Sequence, residues 1–316
     1  MNVFEAVVQG IVQGITEFLP VSSSGHLLIS QHILGVKENN LFFNVMLHIG
    51  TLIAVLAVYY KTVLSLIGAS FTLIAKTCTG KLNLKKINKN EQMVLNIIIG
   101  LTPLFLLFLP LPGISSNVKQ VAEELSNEKN IIIVGISLIA TSILINKGIH
   151  VKHRSTFKNI KYSSHHKNAI CDGKSKISFL DALWIGVTQL IAAIFPGISR
   201  SGSTLSVGLM RGISKQDALD YSFILGIPAI IAAAALELKD AFQENAFSSI
   251  ETTPLVIGMI VSAVVGFLSI KIFKWLLKTD KMMIFVVYTF IVGAGTLVVG
   301  IIEKILGFNV FTGTAI

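Results

Sequence analysis

Residues 13–26 read Q-G-I-T-E-F-L-P-V-S-S-S-G-H, from Gln13 to His26. The stretch lies in an apolar N-terminal segment, yet it carries the carboxylate of Glu17, three consecutive serines, Gly25 and an imidazole. In bilayer hydrocarbon each of those polar groups is costly unless it finds a partner or lines a wet cavity. A second stretch of the same character, Phe195 to Thr204 (F-P-G-I-S-R-S-G-S-T), has Arg200 in place of the acid. The two are expected to meet and form one site, with the rest of the chain as their scaffold.

Composition sets the environment. Of 316 residues 53% are hydrophobic and only 14% charged, with a mean hydropathy of +0.74. A soluble domain of this length would need far more charge on its surface. Several apolar runs reach the roughly 17 to 20 residues that span a bilayer. The reading is an all-α integral membrane protein. The net charge of +9 comes mainly from lysines in the connections between apolar runs. That is the pattern of the positive-inside rule, and nucleic acid is not an expected partner. Cys78 and Cys171 both fall in lysine-rich connections assigned to the cytoplasm, which argues against a disulfide or a zinc site. Glu5, Gln9, Gln13 and Glu17 in the first apolar segment, with no preceding Lys or Arg, also argue against a cleaved signal peptide.

Along the chain, residues 3–34 are expected to form a hairpin. Helix 3–19 carries an acid or amide at every fourth position, and Gly10 and Gly14 allow another helix to approach closely. Pro20 ends that helix, the serines make a turn, and a short helix follows from about Gly25. Spans are expected at 41–60, 92–111 and 130–146, with 62–76 lying at the membrane interface. Residues 147–177 read as a basic cytoplasmic loop, with seven Lys and one Arg against one Asp. The opening pattern then returns as a second hairpin at 178–212, followed by spans at 219–238, 254–273 and 283–302. This divides a single membrane domain, 1–316, into repeat one (1–146) and repeat two (178–302).

An ungapped offset of 176 pairs Gln13 with Gln189, Pro20 with Pro196, Ser23 with Ser199 and Gly50 with Gly226. Three spans per half is an odd number, so the second half is expected upside down. Placing the lysine-rich connections inside leaves the acid-leaning loops near 112–129 and 239–253 outside, in accord with the charge rule. Two re-entrant hairpins then enter from opposite faces and their turns meet near the midplane, as an inverted-topology repeat.

The residue types suggest a chemistry. Glu17 is suited to hold a divalent cation, to act as acid or base, or to join a polar packing network. Backbone N–H groups at Ser22, Ser23, Ser24 and Gly25 suit a phosphate oxygen, although serines also serve turns and caps. Either Ser23 or His26 beside a carboxylate makes a nucleophile. Arg200, one of three arginines in a lysine-rich chain, fits an anion clamp with Gly197, Ser199, Ser201 and Thr204, or else pairs with Glu17. Asn44 and His48 either extend the site or pack between spans, and Arg211 reads as an interfacial anchor. An acid, a nucleophile and an anion clamp in a membrane cavity together suit phosphoryl transfer from an amphiphilic phosphate ester or anhydride.

These residues resemble the undecaprenyl pyrophosphate phosphatase family, the bacitracin-resistance phosphatases. Gln13 to His26 matches the first signature, (E/Q)-x-x-x-E followed by F-L-P-[VI]-S-S-[ST]-G-H, and Pro196 to Thr204 matches the second, P-G-x-S-R-S-x-x-T. The chain departs in its longer basic loop and in Gln13, which leaves Glu17 as the one carboxylate of the motif. The resemblance implies hydrolysis of undecaprenyl diphosphate to the monophosphate, recycling the carrier lipid for peptidoglycan synthesis and conferring bacitracin resistance. It also implies Mg²⁺ or Ca²⁺ dependence and a bacterial plasma-membrane location with a site open toward the outer face. By motif position Glu17 would bind metal or act as acid or base. Ser23 or His26 would attack, with Gln13, Ser22, Ser24 and Gly25 around them. Arg200, Ser199, Ser201 and Thr204 would hold the diphosphate. A homodimer is left open. The rival reading is a carrier that flips the lipid monophosphate through the same site, and cation antiport by Glu17 is a third.

Overall fold

The computed structural model describes residues 2–36, 41–84, 86–110, 117–125, 131–163, 173–243 and 252–315. Helix α1 (Val3–Thr16) opens on a capping box. The Asn2 side chain accepts from the Glu5 N–H and the Glu5 carboxylate accepts from the Asn2 N–H, which satisfies two of the four orphan donors of a helix start. After Pro20 the chain turns, and α2 (Ser23–Leu34) begins with Ser22 as N-cap, its Oγ accepting from Gly25 N at 3.3 Å. Ser22 holds a left-handed φ of 76°, a conformation a side chain disfavours. It is one of two non-glycine residues with positive φ among those described.

Helix α3 (Leu41–Cys78) is one element bent at Tyr59, where φ is −108° and ψ 16°. The stretch 62–76, expected at the interface, is helical and continues the same element past this kink. The bend carries polar partners: Tyr59 donates to Asp220 at 2.5 Å and the Lys274 ammonium lies 4.0 Å from its ring centroid. Helix α4 (Lys89–Leu101) tightens into a 3₁₀ turn at Thr102–Phe108, with Pro103 beside its start. Within the expected outer loop near 112–129 lies a short helix, α5 (Val118–Leu125). Helix α6 (Ile131–Ser163) runs well into the stretch read as a basic loop. Its polar run holds no proline and one glycine, Gly148, and lysine is a good helix former, so the turn of composition does not stop the helix. Residues 164–172, with Cys171, lie outside the described residues.

A second short pair follows. Helix α7 (Phe179–Ile194) opens on a capping box of Ser178 and Asp181, and α8 (Arg200–Met210) on Ser199, whose Oγ accepts from Gly202 N. The caps Ser22 and Ser199 correspond one residue beyond the ungapped offset, because two residues rather than one lie between the proline and the cap in the second turn. Asp181, with no exposed surface, ties this pair together. It accepts from Arg211 Nε at 2.8 Å and from Lys174 Nζ at 2.6 Å. Arg211, expected to anchor at the interface, thus clasps the base of the hairpin. Three long helices complete the described fold: α9 (Lys215–Gln243), α10 (Thr252–Lys278) and α11 (Met283–Leu306).

Among the described residues, six helices are long and apolar enough to cross a membrane: Phe42–Cys78, Lys89–Phe108, Ile131–Val151, Lys215–Lys239, Thr252–Lys278 and Met283–Leu306. Each expected span overlaps one of them. Many large apolar side chains on their outer faces are exposed, among them Phe71, Phe105, Trp275 and Ile291, as lipid-facing surfaces require. Between helices, lipid offers apolar groups no less than protein does, so close packing rather than burial holds them. A Cβ on Gly14 would sit 2.9 Å from Ser262 O of α10, and one on Gly135 of α6 would sit 2.9 Å from Gly293 O of α11. Under the first turn, Phe18 packs edge-on to Phe223 at 5.5 Å, and Phe223 continues through Phe273 to Phe285. Residues 307–315 fold back against α2: Val310 N donates to the buried Glu303, whose carboxylate faces His32 Nε2 at 2.9 Å, and Asn309 Nδ2 donates to His32 O.

Candidate active site

The two turns touch. Ser201 Oγ donates to Leu19 O at 3.0 Å, Gly197 N to Ser24 Oγ at 3.5 Å, and a Cβ on Gly25 would meet Gly197 Cα at 3.0 Å. Glycine at both positions lets the two backbones pass at that distance, and Gly197 in addition holds φ +92°.

Glu17 is the centre. It follows α1 and is 6% exposed. Its Oε1 accepts from Arg200 Nη2 at 2.6 Å, and its Oε2 from Ser23 Oγ at 2.7 Å and Gln13 Nε2 at 3.0 Å. Gln13 Nε2 also lies 3.0 Å from His48 Nδ1, which is 3.8 Å from Glu17 Oε2. A carboxylate, a hydroxyl, a guanidinium, an amide and an imidazole thus converge from four elements. Ser23 and Arg200 are the first residues of α2 and α8, so two helix N-termini, each with partial positive charge, converge beside the carboxylate.

Room for Arg200 comes from α9. A Cβ on Gly226 would overlap the guanidinium Nη1, so the arginine reaches Glu17 only across a glycine. The offset that pairs Gly50 with Gly226 singles out this position but not its purpose.

The remaining expected residues divide. Ser24 is exposed and His26 half-buried, on the accessible side of the cluster. His26 Nδ1 faces Ser22 O at 2.8 Å, and Nε2 faces the hydroxyl of Tyr288 on α11 at 2.9 Å. Tyr288 was invisible in the sequence, where one tyrosine in an apolar span reads as packing. Ser22 and Ser199 act as caps. Thr204 Oγ1 donates to Arg200 O and faces Ser222 Oγ at 2.6 Å, so it braces the start of α8 behind the cluster. Asn44 accepts from Gln31 rather than from the cluster, whereas its neighbour along the helix, His48, joins it.

Among the described residues, six long apolar helices around a buried acid–hydroxyl–guanidinium cluster define a multi-pass membrane protein with a polar centre between its helices. Comparison with known proteins narrows the class. Residues 6–295 match the family model described as bacitracin resistance protein BacA. The chain is 34% identical over 299 residues to an undecaprenyl-diphosphatase of Carboxydothermus hydrogenoformans, covering 94% of this chain and 97% of that relative. It is 34% identical over 295 residues to the undecaprenyl-diphosphatase of Alkaliphilus metalliredigens, covering 93% and 97%. The like-named protein of Methanosphaera stadtmanae is 33% identical over 306 residues, covering 96% and 99%. The chain belongs to the BacA family.

Proposed function

We propose that the protein hydrolyses undecaprenyl diphosphate to undecaprenyl phosphate and inorganic phosphate, a phosphoric anhydride hydrolysis that recycles the carrier lipid for cell-wall synthesis and confers bacitracin resistance. The observation that carries the site reading is the single carboxylate, Glu17, holding both the Ser23 hydroxyl and the Arg200 guanidinium.

Ser23 is the nucleophile in this reading. Its hydroxyl already donates to Glu17 Oε2, the carboxylate that takes its proton, whereas His26 Nδ1 is turned to Ser22 O. Ser23 Oγ attacks the terminal phosphorus, a new P–O bond forms, and the bridging P–O bond breaks. The serine proton passes to Glu17 and the lipid monophosphate leaves with the electron pair of the broken bond. Water then attacks the phosphoserine and gives its proton to His26 Nε2, three residues along α2 and on the same face as Ser23. Inorganic phosphate departs and the serine regains a proton. Arg200 and the starts of α2 and α8 stabilise charge on the phosphoryl oxygens.

The donor set at Gln13 bears on the metal. Among the described residues no group of three His, Cys, Asp or Glu could cage an ion. However, the Gln13 amide lies between Glu17 and His48, and its Oε1 is buried without a partner among those residues. A half-turn of that amide places an oxygen beside the carboxylate and the imidazole. Mg²⁺ commonly takes one or two carboxylates plus substrate phosphates. The oxygens of Glu17, of the turned Gln13 amide and of the diphosphate therefore fit Mg²⁺ or Ca²⁺, with His48 beside them as a neighbour of the amide. A bound ion would neutralise charge on the anhydride.

The hairpins are re-entrant in this proposal and the halves are inverted. At 14 and 12 residues, α1 and α2 reach about 21 and 18 Å, short of a ~30 Å hydrocarbon layer. The lysine distribution supports entry of the first hairpin from the outer side, and in this proposal the site opens toward that side of the cell membrane.

Purified protein in detergent, given a prenyl diphosphate with Mg²⁺ or Ca²⁺, is expected to release phosphate and to pass through an acid-stable phosphoserine. Ser23→Ala abolishes both. Absence of phosphate release by the native protein would sink the phosphatase reading in favour of a carrier.

A further inference from the structure

The sequence motifs say nothing of α11, yet α11 places Tyr288 against His26. The two rings stack with centroids 5.6 Å apart and planes 13° from parallel. A backbone carbonyl only accepts, so the 2.8 Å contact from His26 Nδ1 to Ser22 O puts a proton on Nδ1. In the neutral imidazole Nε2 then carries the lone pair, and the Tyr288 hydroxyl at 2.9 Å donates to it. Ser22 O also accepts the His26 backbone N–H at 3.2 Å, so one carbonyl at the positive-φ residue fixes both the helix start and the ring.

Tyr288 is 43% exposed, so its hydroxyl is not held by burial in a core. Its backbone, by contrast, is firmly mounted. Ser142 Oγ of α6 donates to Val286 O at 2.8 Å, and a Cβ on Gly293 would meet Leu138 Cβ at 2.9 Å. A rigid helix thus presents one phenol to one nitrogen of the imidazole.

We propose that Tyr288 is a positioning residue, whose hydroxyl holds in a fixed orientation Nε2, the basic nitrogen of the Nδ1–H tautomer that Ser22 O selects. This rests on the reading of His26 as the base of the second step. Without the phenol the ring keeps its backbone contact to Ser22 O and loses the partner of Nε2.

The test replaces Tyr288 by Phe, which keeps the stacked ring and removes one oxygen. The histidines are labelled with ¹⁵N in detergent-solubilised protein, and His26 is assigned by comparison with His26→Gln. The native protein is expected to show His26 protonated at Nδ1, and Tyr288→Phe to keep that tautomer with a shifted Nε2 resonance, because the nitrogen has lost its donor. In the phosphate-release assay kcat falls on the order of tenfold with KM unchanged, a part of the 10²–10⁴-fold that a positioned acid–base group contributes. Native kcat in Tyr288→Phe, or a slower enzyme whose His26 signals do not move, would overturn the proposal. Absence of turnover in the native protein would count against the phosphatase reading instead, and the ¹⁵N spectra would still decide the tautomer.

Discussion

Arg200 Nη2 lies 2.6 Å from Glu17 Oε1, although 183 positions separate the two residues. Both side chains are largely withdrawn from solvent, at 19% and 5% exposure. Removing one partner of such a pair strands the other as a buried charge, which typically costs about 3–5 kcal/mol.

Glu17→Gln and Arg200→Gln are each expected to lower the unfolding midpoint of the detergent-solubilised protein, and the double variant by less than the sum. All three should lose at least ~10³-fold in phosphate release, because removing one group from a catalytic set costs about as much as removing several. Thermal melts and turnover on the same preparations check both. An additive melting penalty would mean that the pair does not form.

Gly226→Ala is expected to fold and to fail in catalysis. Its methyl group occupies the space of the Arg200 guanidinium, so the arginine must leave Glu17. Displacement of this kind costs about 10²-fold in rate. Gly295→Ala, where a Cβ meets nothing within 4 Å, is the control and should keep native activity.

Chelation should stop turnover, and Mg²⁺ or Ca²⁺ should restore it. Gln13→Glu adds a second carboxylate beside Glu17 and His48, and cation affinity follows ligand charge. The half-saturating Mg²⁺ concentration is expected to fall on the order of tenfold. An unchanged metal requirement would place the cation away from Gln13.

With Cys78 and Cys171 replaced, single cysteines at Asn117 and Lys161 should react with an impermeant reagent from opposite sides of the membrane. Reaction of both from one side would refute the inverted arrangement and the outer-facing site with it.

What was legible in the sequence was whatever hydrocarbon makes anomalous. An acid, an arginine and two serine-rich turns stand out against apolar runs because each must be accounted for. The touching turns and the convergence on Glu17 follow from that contrast. Features carried by unremarkable residues were not legible. Tyr288 and Gly226 look like ordinary span residues, and their importance lies in what faces them from another helix. Helix extents failed for a related reason. Composition changes where the chain leaves the bilayer, near residue 147, but the backbone of α6 has no cause to stop there and continues to Ser163. The bend at Tyr59 likewise depends on Asp220 and Lys274, which are remote in sequence.

Helix α2 is held near both ends. At its start the Ser23 hydroxyl is bound to Glu17, and toward its finish His32 meets Glu303 under the folded-back residues 307–315. A serine on a helix so anchored has little rotational freedom left to lose. With Ser23 as the proposed nucleophile, the ordering of its oxygen is completed once, when the chain folds, and need not be repeated with each lipid that arrives.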